Sequence, residues 1–218
     1  MKKRILTTTK DGSQTIYIPE LDEHYHSTNG AIQEAMIVYL GAGLDYCKKD
    51  EINILEAGFG TGLNAFLTMH ESSKKINYTS IELYPLSREE YTVLDHYKFV
   101  AGGDKDLFMK MHEVKWEDFY PITDKFNLKK VQADITSCTF EDKYDVVYFD
   151  AFAPDVQPHL WTEDVFQKIY NSMNEGGVLT TYCVKGIVKR ALKACGFKIE
   201  KLPGAAGKRE MLRAIKEL

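Results

Sequence analysis

No stretch of this sequence is apolar enough to cross a membrane as a helix. The longest apolar run, residues 35–44, falls far short of the roughly 18 residues such a helix needs. An apolar leader is missing too, because the basic opening MKKRIL runs into three threonines. A cytoplasmic protein without a membrane partner is therefore expected. Cysteine is sparse: Cys47, Cys138, Cys183 and Cys195 form no C-x-x-C pair and no regular spacing, which suggests neither a zinc site nor a disulfide framework. His24 and His26 have no third ligand near them in sequence, so no metal is expected. Internal repeats, low-complexity tracts and interdomain linkers are also missing. With 218 residues, 44% hydrophobic and 28% charged, the chain suits one well-buried core and is short for two. We expect an N-terminal appendage over residues 1–48 and a main domain over residues 49–218.

A surplus of positive charge is lacking as well, and the net −4 argues against a nucleic-acid partner. Its distribution argues the other way. Between residues 185 and 213, Lys185, Lys189, Arg190, Lys193, Lys198, Lys201, Lys208, Arg209 and Arg213 face only Glu200 and Glu210, a local +7 that leaves −11 for the rest. Phosphates are the partner such a concentration suits, and a solvated helix face is the bland alternative.

The chain is organised around residues 52–64, INILEAGFGTGLN, which read as a buried strand, a glycine turn and the start of a helix. Glycine at 58, 60 and 62 allows backbone conformations closed to other residues and lets a ligand approach the main chain. A dinucleotide fingerprint needs Gly or Ala where Leu63 stands, so the pyrophosphate version of this turn is imperfect. What remains is acid-x-Gly-x-Gly-x-Gly from Glu56, which resembles the first motif of class I methyltransferases that use S-adenosylmethionine. Candidate cofactor contacts in the turn are Glu56, Gly58, Phe59, Gly60, Gly62 and Asn64.

Three more strands end in acids: NYTSIEL at Glu82, LKKVQAD at Asp134 and YDVVYFD at Asp150. Glu82 lies 20 residues after Gly62, where an acid accepts from two ribose hydroxyls, and Asp134 is placed to meet an adenine edge. Ligands of open α/β sheets bind at this rim, which makes Asp150 a further cofactor-side candidate. Alternation of strands and helices predicts a mainly parallel sheet covered on both faces, Rossmann-like and of seven strands. Asp11–Gly12 predicts a two-stranded N-terminal hairpin, residues 31–48 an amphipathic helix and residues 87–99 another.

Together, GFGTGLN at residues 58–64, DAFAP at 150–154, LWT at 160–162 and KREM at 208–211 resemble the methyltransferase domain of the bacterial MnmC-type enzymes, which complete 5-methylaminomethyl-2-thiouridine at the tRNA wobble position. The resemblance runs from about Leu21 to Ala214. It implies a class I fold, S-adenosylmethionine as donor without metal or FAD, and the amine of 5-aminomethyl(-2-thio)uridine in a tRNA anticodon stem-loop as acceptor. Many such enzymes carry a flavin-dependent oxidase that exposes this amine. None is expected here, so a separate oxidase or upstream wobble-uridine enzymes would supply it.

In this chemistry a carboxylate holds the ammonium and takes its proton, the role assigned to Asp150 as catalytic residue. Phe152 and Trp161 are candidates for stacking on an extruded uracil, with core packing the alternative. Lys185, Lys189, Arg190, Lys208 and Arg209 are candidate tRNA contacts. Two rivals stand beside this reading. One is a polyamine-type aminopropyltransferase, disfavoured by the +7 segment; the other is a non-catalytic RNA- or nucleotide-binding module, which needs no Asp150.

Overall fold

The computed structural model describes residues 3–205 and 207–217. Strands β1 (Ile5–Thr8) and β2 (Gln14–Ile18) form the expected hairpin, with Gly12 at φ 86° in its turn. A third strand, β3 (Glu23–His24), pairs with β2, so the cap is three-stranded rather than two-stranded. Its polar sequence gives no strand signal. The pairing is made by Tyr17 opposite His24, their rings 4.7 Å apart.

Helix α1 (Ala31–Ala35) widens into a π-helical stretch, Met36–Leu44, that lies hard against the sheet. A Cβ on Gly43 would come within 3.1 Å of Val146 and 3.2 Å of Tyr148, so any larger residue would crowd both side chains. Ala35, Val38, Tyr39 and Leu40 enter one apolar cluster with Ile52, Ile54 and Tyr148. The boundary expected after residue 48 therefore divides elements that share a core.

The main sheet comprises β4 (Glu51–Ala57), β5 (Lys75–Ile81), β6 (Phe119–Thr123), β7 (Phe126–Val131), β8 (Tyr144–Phe149), β9 (Met173–Thr181), β10 (Lys198–Pro203) and β11 (Glu210–Ile215). Their order is β10-β11-β9-β8-β4-β5-β7-β6. Neighbours from β9 to β7 are parallel, while β10, β11 and β6 join antiparallel. Eight strands correct the expected seven. The extra one, β6, carries Pro121 and an exposed Phe119 and sits at the edge, where a proline costs no ladder bond.

Helices α2 (Leu63–Glu71) and α4 (Lys105–Glu113) join the π-helical stretch on one face, burying Phe66 and Phe108 against Tyr78 and Tyr148. On the other, α5 (Glu163–Ser172) and α6 (Gly186–Ala194) pack Phe166 and Leu192 against Phe149. The helix expected over residues 87–99 is shorter. Ser87 and Glu90 close a capping box on α3 (Arg88–Tyr91), after which a 3₁₀ turn, His96–Phe99, takes over. Tertiary contacts override helix propensity there: Arg4 grips Glu90, and the Asp95 N–H donates to Gln14.

Candidate active site

The parallel strands leave the sheet in step. The Gly58 N–H donates to Ile81 O at 2.8 Å, the Glu82 N–H to Val131 O at 3.0 Å and the Asp150 N–H to Ala57 O at 3.3 Å. Each exit is thus held by its neighbour's last carbonyl, and the acids after β5, β7 and β8, Glu82, Asp134 and Asp150, come to one rim. A cavity of about 1280 Å³ opens there, lined by Gly58, Phe59, Gly60, Asn64, Glu82, Asp134, Asp150, Phe152 and Lys208 among others. It straddles β8, β4 and β5, where the order of the parallel strands reverses direction, the usual ligand position in such sheets.

Gly58 and Gly60 have φ 95° and 52°, and a Cβ on Gly60 would press on Tyr25 at 3.0 Å. Glu82 braces this turn: its Oε2 accepts the Gly60 N–H at 3.0 Å and its Oε1 the Tyr84 N–H at 2.8 Å. Phe59 and Asn64 also line the cavity, whereas Gly62 and Glu56 do not. Gly62 ends the turn at the start of α2, packed on Phe59 and His112. Glu56, expected to touch the cofactor, is fully buried beneath the floor.

Burial pushes the Glu56 carboxyl up to about 8, against a 2.6 Å hydrogen bond from Ser80. Glu56 Oε1 and Asn64 Oδ1 are both buried acceptors without a partner, and Asn64 lies within hydrogen-bonding reach. A protonated Glu56 supplies the missing donor. Because its pKa is raised on folding, its contribution to stability is fully present below about 4.5 and is lost as pH rises through about 8. We predict that Glu56→Gln, neutral at every pH, flattens the loss of thermal stability between pH 6 and pH 9. An unchanged slope would show that Glu56 is already ionised in the fold.

Asp150 is half-buried at the centre of the cavity, with Oδ2 accepting from Asn64 Nδ2 at 2.8 Å. The buried Tyr39 hydroxyl stands beside it without closing a bond of good geometry. Burial raises Asp150 to about 6, opposed by Tyr39 and Asn64. At neutral pH it remains mostly a carboxylate, yet basic enough to accept a proton. Asp134 also lines the cavity, but its Oδ1 is engaged by the Thr136 N–H and hydroxyl, which hold its pKa down.

The two aromatics of the DAFAP–LWT loop divide. Phe152 lines the cavity, edge-on to Tyr25 at 5.4 Å. Trp161 does not: it is 2% exposed, packed 4.9 Å from Phe149, and its Nε1 donates to Phe152 O. It shapes the loop, and no face is free for stacking.

Lys208, read from sequence as a phosphate contact, turns inward to Glu34 and Tyr182. Lys185 pairs with Asp155, Lys198 with Glu217, Lys201 with Glu210 and Arg213 with Glu200. Among the described residues, Lys189, Arg190, Lys193 and Arg209 enter no ion pair. Lys185 and Arg209 border a smaller groove of about 580 Å³ that shares Ala153, Tyr182 and Lys208 with the main cavity.

No local sequence signal marks the opposite wall. Arg4, Tyr25 and Glu34 come from the N-terminal elements, and Trp116 from the loop before β6. Trp116 is held by the ammonium of Lys130, 4.8 Å from its ring, while that ammonium donates to His112 O. His26 is tied to Thr15 and Thr61 and pushed down to about 4 by burial, so it serves as a neutral strut.

A Rossmann-like sheet carrying a glycine turn, an acid at the end of the next strand and a half-buried aspartate at one rim is the class I methyltransferase fold. The family of S-adenosyl-L-methionine-dependent methyltransferases matches residues 106–217, and the chain belongs to it. The bifunctional protein MnmC of tRNA 5-methylaminomethyl-2-thiouridine biosynthesis from Cupriavidus metallidurans is 31% identical over 216 residues, and its namesake from Leptospira borgpetersenii is 31% identical over 217. These alignments cover 90% and 88% of this chain but 32% of each relative, so the chain spans about a third of their length. In fold it is similar to MnmC2 from Aquifex aeolicus (TM-score 0.76, 24% identity, 98% of this chain and 70% of that one). Spermidine synthase from Thermotoga maritima follows the same fold (TM-score 0.60, 15% identity, 98% and 73%).

The residues present fit the donor this family uses. Positive-φ glycines expose backbone to a ligand's polar tail, Glu82 keeps acceptor capacity for ribose hydroxyls, and Ile135 and Leu83 provide apolar walls. No helix among the described residues is long and apolar enough to cross a membrane.

Proposed function

We propose that the chain methylates the primary amine of 5-aminomethyl(-2-thio)uridine at the tRNA wobble position, giving the 5-methylaminomethyl product. The observation that carries this is Asp150, a half-buried carboxylate at the join between the glycine-turn side of the cavity and the Ala151–Phe152 side. Bound S-adenosylmethionine supplies an electrophilic methyl group. Asp150 then accepts hydrogen bonds from the incoming ammonium and takes the proton whose loss frees the nitrogen lone pair. Asn64 fixes that carboxylate from below, and Phe152 with Tyr25 offers aromatic edges to a uracil ring. Likeness to the MnmC proteins over most of the chain supports tRNA as the acceptor in preference to a free polyamine, a choice that fold alone does not make. The amine itself is supplied by an amine-exposing reaction that these 218 residues do not carry out. Labelled methyl transfer to bulk tRNA from a strain lacking the modification tests the proposal; transfer to putrescine but not to that tRNA would overturn it.

The exposed cations Arg190 and Arg209 and the half-buried Lys189, which enter no ion pair among the described residues, are the proposed phosphate contacts. Changing all three to Ala is expected to weaken tRNA binding and to lower the salt slope by roughly 0.9 for each phosphate no longer neutralised. Filter binding across a salt series measures this, and an unchanged slope removes the surface.

A further inference from the structure

One wall of the cavity already holds a primary ammonium group. Lys208 Nζ lies 2.5 Å from Glu34 Oε1 and 4.1 Å from the centroid of the Tyr182 ring. Both partners are held from behind. Glu34 Oε2 accepts the Ser27 N–H at 3.1 Å, and the Tyr182 hydroxyl donates to Ala151 O at 2.8 Å, immediately beside Asp150. Glu34, Tyr182, Lys208 and Asp150 all line the same cavity. A fixed carboxylate beside an aromatic face is chemistry for a primary alkylammonium. Lysine is one, carried on a flexible four-carbon stem. Its side chain is 35% exposed whereas that of Glu34 is 12% exposed, so the lysine has a way out to solvent and the carboxylate does not.

Resting on the proposed aminomethyl acceptor, we propose that Glu34 and the face of Tyr182 form a seat for the acceptor's ammonium group, and that Lys208 fills this seat until the acceptor displaces it. Glu34 is then a binding carboxylate distinct from the proton-accepting Asp150. Lys208 is a resident competitor and not a phosphate contact. Its presence lowers the apparent affinity for the amine by the fraction of time it holds the seat, and a neutral analogue gains nothing from displacing it.

The full chain, saturated with S-adenosylhomocysteine, provides the test. Lys208→Met keeps the stem and removes the charge. Titrated with n-propylammonium at millimolar concentration and followed by NMR, this variant is expected to show saturable shifts at the Tyr182 ring that the wild type lacks and that Lys208→Met with Glu34→Gln loses. In methyl transfer, Lys208→Met is expected to lower KM for the aminomethyl tRNA by about tenfold at unchanged donor affinity, whereas Glu34→Gln raises it by about tenfold. A Lys208→Met protein that binds no propylammonium, or whose KM rises, overturns the seat. Should Glu34→Gln fail to fold, as thermal unfolding would reveal, the gain or absence of propylammonium binding in Lys208→Met alone decides. Propylammonium binding without any tRNA methylation would instead reject the proposed function and leave the seat standing.

Discussion

Replacing Asp150 with asparagine is expected to lower single-turnover methylation by about 10²-fold or more, the usual scale for a positioned base. The substitution keeps the shape and an acceptor for the Asn64 amide but removes charge and basicity. Donor binding and most tRNA affinity should persist, since the glycine turn, Glu82 and the basic residues are untouched. Wild-type turnover should also fall about tenfold per pH unit below about 6, where burial places the Asp150 carboxyl, and Asp150→Asn should lose that dependence. Stability separates this from a structural role. The folded pKa of Asp150 is raised from 3.8, so its stabilising contribution is complete below 3.8 and lost as pH rises through about 6. At pH 8 the non-titrating asparagine is therefore expected to unfold at the wild-type temperature or above it. A variant that melts earlier yet turns over normally per folded molecule would defeat the catalytic assignment.

Removing the Glu82 side chain is expected to weaken S-adenosylmethionine binding by about 10- to 150-fold, since a charged acceptor for hydroxyl groups is worth roughly 1.5–3 kcal/mol. Two effects combine in Glu82→Ala. The ligand loses its acceptor, and the Gly60 N–H loses the carboxylate that braces the turn. Glu82→Gln can still accept through one oxygen and should fall between. Calorimetry on the isolated chain measures all three proteins, and an alanine variant with wild-type affinity would place the ribose elsewhere.

The glycine-turn side of the cavity was legible because local sequence builds it. An apolar strand followed by glycines at 58, 60 and 62 leaves the backbone few alternatives, and strands running into Glu82, Asp134 and Asp150 put those side chains at one end of a parallel sheet. Glu56 shows where local pattern misleads. As the last acid of β4 before the turn it reads as a ligand group, yet strand alternation points it into the sheet against Ser80, where it is buried and protonates. Trp161 is similar: as an aromatic of the same loop as Phe152 it reads equally as a stacking face or as core, and an indole next to Phe149 and Phe166 gains more from burial.

By itself, the sequence determined the strand–turn–helix at residues 52–64, the parallel alternation, the acids at the strand ends and the resemblance that points to methyl transfer. These follow from interactions within a few residues: backbone conformation, capping and period. Tertiary structure decided the opposite wall of the cavity. Glu34 meets Lys208 across 174 residues, Tyr25 presses on Gly60, and Tyr39 reaches Asp150 from a π-helical stretch brought close by Gly43. It also decided which charges of the basic segment are neutralised, pairing Lys185, Lys198 and Lys208 with acids outside it and leaving Lys189, Arg190, Lys193 and Arg209 without an ion pair among the described residues. Charge summed along a chain carries no information about which acids fold against it, because electrostatic pairing depends on distance in space.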